Sequence, residues 1–287
     1  MKRLLPILSL VVLWSPAGSW AQLQAPNEAG VTMGHVHLNV RDVEANKKFW
    51  QLLGGTPIEI DGTAVMKFPG VFVFLTPGTP PDGGGPRAAI ICGCPSDGIE
   101  PSVLNHLGFL VKNYDEYMAK FKAAGLKMAG IPGSGRRQLL LFSPDNVSLE
   151  IAEGTSIAFP ITNQHFHFFA PAFIPEFPHR VEAFSMYLWY NKLFGAKLIT
   201  NAVGAELPGV NMRYSSTPLP TVPTKGRAVD HIGFEIKNLE AFSKKLEASG
   251  VKFDKPYSKS RHHGFASVEL TDPWGTSLEL TEGLNRF

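Results

Sequence analysis

Asn105-His106-Leu107-Gly108-Phe109 and Asp230-His231-Ile232-Gly233-Phe234 are two versions of one pentapeptide. The match continues downstream. Lys112-Asn113 answers to Lys237-Asn238, Gly125-Leu126-Lys127 to Gly250-Val251-Lys252, Ser148-Leu149-Glu150 to Ser277-Leu278-Glu279, and Glu153-Gly154 to Glu282-Gly283. It also continues upstream, where Gly34-His35-Val36-His37 aligns with Gln164-His165-Phe166-His167 and Pro69-Gly70-Val71 with Pro208-Gly209-Val210. Landmarks that keep one order through both halves read as a tandem duplication, over roughly residues 31–154 and 160–283.

Each half repeats again. A short apolar strand carrying His opens each unit. A segment of helical period follows and stops at Gly: Val43 to Leu53 before Gly54, Tyr114 to Ala124 before Gly125, Arg180 to Phe194 before Gly195, and Leu239 to Ser249 before Gly250. Glycine just past a helix is a C-terminal stop, because it enters the left-handed region without a Cβ clash. Short strands with turns such as Ser143-Pro144-Asp145-Asn146 and Asp272-Pro273-Trp274-Gly275 close each unit. The unit reads β-α-β-β-β, four times, an α+β chain.

Six of the nine histidines lie on the four opening strands. His35 and His37 stand at i and i+2, hence on one face of a strand, as do His165 and His167. Glu150 and Glu279 sit on the last strand of units two and four, between apolar neighbours that point the other way. A lone glutamate there reads as the wet face of a strand. Two, at the same place in both halves and each with a duplicated His, read as ligands. Imidazole and carboxylate suit a borderline or hard divalent metal, and two His with one carboxylate leave its opposite side open.

Composition narrows the partners. The 287 residues carry 44% apolar and 18% charged side chains and a net charge of +2. A sizeable core is available, and no basic block supports nucleic-acid binding. Lys2-Arg3, an apolar run over Leu4 to Trp14 and Ser19-Trp20-Ala21 read as an export signal over residues 1–21, cleaved before Gln22. The mature chain would be secreted or periplasmic, with no stable membrane insertion. Cys92 and Cys94 then face an oxidising compartment, as a strained disulfide, a soft-metal contact or buried thiols.

The pattern resembles the vicinal oxygen chelate superfamily of glyoxalases, bleomycin- and fosfomycin-resistance proteins and extradiol dioxygenases. The resemblance rests on His35 to Asp42, Phe49-Trp50, Leu53-Gly54, Asp230 to Phe234, and Asp272-Pro273-Trp274-Gly275 with Leu278-Glu279-Leu280. It implies four βαβββ modules paired into two tandem glyoxalase-like domains with curled mixed sheets, over 31–154 and 155–287 after a short segment at 22–30. By position it implies the ligand sets His35, His106, Glu150 and His165, His231, Glu279 for Fe, Zn, Ni or Mn, with Glu150 or Glu279 also serving as base. The second half fits the family best. The fourth glyoxalase ligand position falls on Phe74 in one half and Arg213 in the other, neither of them a carboxylate. Phe74 would pack on substrate and Arg213 would grip a carboxylate. His37 and His167 would stand behind the ligands, serve as alternative ligands, or hydrogen-bond to substrate. His262, with Val268, Asp272-Pro273, Gly275 and Glu279, partly fits the dioxygenase signature, with Glu269 in place of its Tyr.

The expected function is metal-dependent chelation of two adjacent oxygens of a small organic substrate, with a lyase or isomerase ahead of an Fe(II) ring-cleaving dioxygenase. The other class is a non-catalytic binding protein, for which Phe166 to Phe177 would wall an apolar pocket. A homodimer is a possible assembly.

Overall fold

The computed structural model describes residues 23–80, 102–131, 135–171, 181–199, 203–217, 221–259 and 265–287. The signal at 1–21, Cys92, Cys94 and His262 lie outside them.

Four βαβββ modules follow one another. The first holds β1 (Val31–Val40), α1 (Val43–Leu53), β2 (Thr56–Ile60), β3 (Thr63–Phe68) and β4 (Val71–Pro77). The second holds β5 (Leu104–Val111), α2 (Tyr114–Ala123), β6 (Met128–Gly130), β7 (Gln138–Phe142) and β8 (Ser148–Glu153). The third holds β9 (Ile161–Pro171), α3 (Val181–Phe194), β10 (Lys197–Leu198), β11 (Gly204–Leu207) and β12 (Val210–Thr217). The fourth holds β13 (Val229–Ile236), α4 (Leu239–Ala248), β14 (Lys255–Lys259), β15 (Ala266–Thr271) and β16 (Ser277–Glu282).

The helices show how the repeat is encoded. In α1, Asp42 caps the N-terminus by accepting from the Ala45 N–H, and Gly54 ends it at φ 106°. Asn46, Phe49, Trp50 and Leu53 are buried, at i, i+3, i+4 and i+7. In α4, Asn238 caps Ala241, and Leu239, Phe242, Ser243 and Leu246 repeat the same buried spacing.

Two eight-stranded mixed sheets result, ordered β14-β15-β16-β13-β1-β4-β3-β2 and β10-β11-β12-β9-β5-β8-β7-β6. In each module the first and last strands pair in parallel, as β1 does with β4 and β13 with β16. Two modules then join through their opening strands, antiparallel: β1 with β13 and β5 with β9. The fold class is as expected, but each sheet takes one module from each half of the chain. Modules one and four make one sheet, modules two and three the other. Chain connectivity favours this. Residues 154–160 bring module three straight back beside module two, whereas the long connector over 78–103 lets module two leave the sheet of module one.

Within each half the modules are tied differently, through helices and buried aspartates. Trp50 of α1 packs on Phe109 of β5, and Phe194 of α3 on Phe234 of β13. Asp145, in the turn before β8, accepts from Asn46 Nδ2 at 2.7 Å and from the Arg41 backbone N–H at 3.1 Å. Asp272, in the matching turn before β16, accepts from the Tyr190 hydroxyl of α3 at 2.9 Å. Both carboxylates are buried. Asp145→Ala strands the buried Asn46 amide and should cost about 2–3 kcal/mol, read as a lower urea midpoint at unchanged m-value. An unchanged midpoint would show that Asp145 does not tie module two to module one.

Candidate metal centres

The antiparallel join places ligands from two modules side by side. In the first centre His35 Nε2 lies 3.0 Å from Glu279 Oε2, and His231 Nε2 lies 3.3 Å from the same oxygen. Three strands supply them: β1, β13 and β16. Behind His231, Nδ1 meets Asp230 Oδ1 at 2.6 Å. His37 sits beside His231 with ring centroids 4.5 Å apart, and its Nε2 meets Thr76 Oγ at 2.6 Å. Phe74 flanks His35 and stacks on His37.

In the second centre His106 Nε2 lies 3.2 Å from His165 Nε2 and 3.3 Å from Glu150 Oε2, with His165 to Glu150 at 3.8 Å. The strands are β5, β9 and β8. Asn105 Oδ1 holds His106 Nδ1 at 2.7 Å, and Gln164 Oε1 holds His165 Nδ1 at 3.0 Å. His167 repeats the role of His37, with Nε2 2.7 Å from Ser215 Oγ.

Glycine makes room for one ring in each centre. Register pairs His35 with Gly233 and His165 with Gly108, so each ring lies over a residue without a side chain. A Cβ at Gly233 would stand 1.9 Å from His35 Cε1, and one at Gly108 would stand 2.2 Å from His165 Cε1. This is the physical reason for glycine two residues after the histidine in the repeated pentapeptide.

Burial pushes His35 down and takes His37 to about 3. It also holds His165 and His167 well below the usual range, which favours their neutral form. Burial works in the same sense on His231, but its bonds to Asp230 and Glu279 outweigh it and raise the ring to about 9. Burial alone would raise Glu279, yet its hydrogen bonds from His231 and His35 keep it well below the carboxylate range. Asp230, likewise opposed by burial, is drawn to about 2 by His231 and by the Gly226 N–H. Glu150 is lowered as well: His106, Arg213 and Arg136 overcome the cost of its burial.

Both sets fit a divalent ion. Metal–nitrogen and metal–oxygen bonds near 2.1 Å put neighbouring ligand atoms about 3.0–3.4 Å apart. The His35–Glu279, His231–Glu279, His106–His165 and His106–Glu150 spacings lie in that range, His165–Glu150 is wider, and a ring nitrogen of His167 also comes within 4.8 Å of those of His106 and His165. A ligand imidazole ordinarily gives its other ring N–H to a carboxylate, carbonyl or water, as the rings of His231, His106 and His165 do here to side-chain oxygens. The Nδ1 of His35 is buried and has no partner among the described residues. Here the residue before the ligand is Gly34, with no side chain to offer.

The residues expected as ligands are thus brought together, but in other combinations. His35 meets His231 and Glu279 rather than His106 and Glu150, and His165 meets His106 and Glu150 rather than His231 and Glu279. The tandem grouping failed because the sheets pair module one with four and two with three. Phe74 and Arg213 occupy equivalent places, in register with His37 and His167. Sequence reasoning missed the roles of Asp230, Asn105 and Gln164. The signal for them was present: a polar side chain immediately precedes three of the four ligand histidines. Gly233→Ala, made in a His106→Ala background that leaves the first centre alone, should weaken divalent-metal binding about tenfold or more with the circular dichroism spectrum kept. Unchanged affinity in a competition titration would remove His35 from the ligand set.

The comparisons agree with this architecture. Residues 182–280 match the family model described as Glyoxalase/Bleomycin resistance protein/Dioxygenase superfamily. No curated protein sequence matches the chain. Among solved structures, glyoxalase I from Zea mays aligns over 89% of this chain and 94% of its own, at 15% identity and a TM-score of 0.62. A putative dioxygenase from Bacillus subtilis subsp. subtilis str. 168 aligns over 91% of this chain and 86% of its own, at 11% identity and a TM-score of 0.57. At such identities the structures show a shared fold. Residues 182–280 are thus similar to the glyoxalase/bleomycin-resistance/dioxygenase family model, and the whole chain shares the fold of glyoxalase I, as four βαβββ modules in two sheets.

Proposed function

We propose that the protein is an exported, metal-dependent enzyme that takes a small organic substrate through two adjacent oxygens, with the first centre as its working site. The observation that carries this reading is the convergence of His35, His231 and Glu279 from three strands, with Asp230 fixing the orientation of His231. A divalent ion held there would draw two substrate oxygens to its open side and stabilise the negative charge developing on them.

The chain's own groups supply the rest. Glu279 meets both rings through Oε2, which leaves Oε1 as the carboxylate oxygen able to take a proton from the substrate. Phe74 stands at the register position of a fourth ligand and, with Phe72, Val65 and Ile58, forms an apolar wall beside the rings. That wall excludes water and suits the organic part of the substrate. The reading is thus a lyase or isomerase that moves a proton at carbon next to the bound oxygens. A second reading, Fe(II)-dependent ring cleavage, is favoured by one specific observation. Two His and one carboxylate, with the remaining positions left open because Phe74 cannot ligate, is the donor set of oxygen-using iron sites. Both sheets are completed within one chain, so neither centre needs a partner copy, and a homodimer would add no ligand.

Two measurements on exported protein, purified without chelator, test the proposal. Intact mass should correspond to residues 22–287, and a mass that retains the signal would refute cleavage. Metal content should be near-stoichiometric in wild type, and His231→Ala should lose the first ion together with activity. Iron with oxygen uptake on catechols would select ring cleavage; zinc, nickel or manganese with solvent proton exchange would select the isomerase reading. A wild-type protein that takes up no metal would leave a small-molecule-binding protein of the resistance type.

A further inference from the structure

The two centres share a plan but differ in the wall that faces their ligands. On β4 the residues in register with His35, His37 and Asn39 are Phe72, Phe74 and Thr76. On β12 the residues in register with His165, His167 and Phe169 are Asn211, Arg213 and Ser215. An aromatic wall in one centre is therefore a polar, cationic wall in the other. Across the next strand, the partner of Arg213 is Gly204, which has no side chain to lie against the guanidinium.

The fixed charges differ in the same sense. At the first centre the carboxylates of Glu279 and Asp230 flank the histidines, and the Lys255 ammonium is within reach of both. At the second, Glu150 faces two guanidiniums, Arg213 and Arg136. Arg213 is half-buried, in register with His167, and its charge reaches Glu150, His165 and His167. A cationic group so placed binds an anion well, because a planar guanidinium matches a carboxylate with two parallel hydrogen bonds.

We propose that the second centre is a binding site for a small carboxylate with an oxygen on the adjacent carbon, an α-hydroxy or α-keto acid, whose carboxylate pairs with Arg213 beside His106, His165 and Glu150. The first centre, with Phe72 and Phe74 where the second has Asn211 and Arg213, offers no guanidinium on that wall and suits uncharged, more apolar ligands. The molecule then has two sites of different selectivity rather than two copies of one. The ion at the second centre rests on the metal reading above; the anion site at Arg213 does not.

The test is calorimetric titration of zinc-loaded mature protein with glycolate, and with hydroxyacetone as the uncharged analogue, zinc content being measured on the same samples. Glycolate should bind at one site per chain. Arg213→Gln should weaken it about ten- to a hundredfold at unchanged zinc content, and His106→Ala should weaken it together with the loss of one zinc. His231→Ala should leave it intact, and hydroxyacetone should not compete there. Glycolate affinity unchanged in Arg213→Gln, or lost in His231→Ala instead, would overturn the inference. No glycolate binding in protein that holds zinc would overturn it while leaving the metal reading in place. Arg213-dependent glycolate binding in protein that takes up no zinc would sink the metal reading and leave the anion site standing. A thermal melt of Arg213→Gln that matches wild type excludes misfolding as the cause of lost binding.

Discussion

Everything chemical in this molecule depends on one contact, the antiparallel pairing of opening strands from two modules. A single βαβββ module brings one candidate ligand histidine, and only modules two and four bring a candidate ligand glutamate, too few to hold an ion. Laying β1 against β13, or β5 against β9, sets a histidine of each module on the same concave face. The parallel partners β16 and β8 then deliver the glutamate one strand away. Close approach of the strands requires a ring to sit over the opposite backbone, which is why glycines 233 and 108 are as much part of the centres as the ligands.

The second organising feature is that the sheets and the helices couple the modules in different pairs. Backbone ladders join module one to four and two to three. Aromatic packing and the buried carboxylates of Asp145 and Asp272 join one to two and three to four. Breaking either set leaves the other, so the centres are held by two independent kinds of force: hydrogen-bonded ladders that fix register, and buried side chains that fix how the sheets stack.

Much of this was legible in the sequence. Periodicity and stop glycines placed the four helices to within a residue or so, because the spacing of Asn46, Phe49, Trp50 and Leu53 has one structural meaning. The alternation around Glu150 and Glu279 correctly placed both glutamates apart from their buried neighbours. What could not be read was which histidine meets which glutamate. Ligand identity is local, but ligand grouping is a property of strand order, which no local motif encodes. The supporting residues Asp230, Asn105 and Gln164 were visible as letters and silent as roles, since a polar residue before a histidine gains meaning only once Nδ1 is seen to point at it.

The crosswise sheets also give the molecule a temporal order. Pairs such as Val31 with Ile236 join the two ends of the chain, whereas β5 and β9 lie close together in sequence. Loop closure is costlier for the distant pair and its contact order higher. The second centre has all its strands once residue 217 has been made. The first must wait for β16, which ends at Glu282. Until then β1 presents an unpaired edge and a ligand histidine with no partner. Two centres that look like twins in the finished fold are thus completed at different points of synthesis.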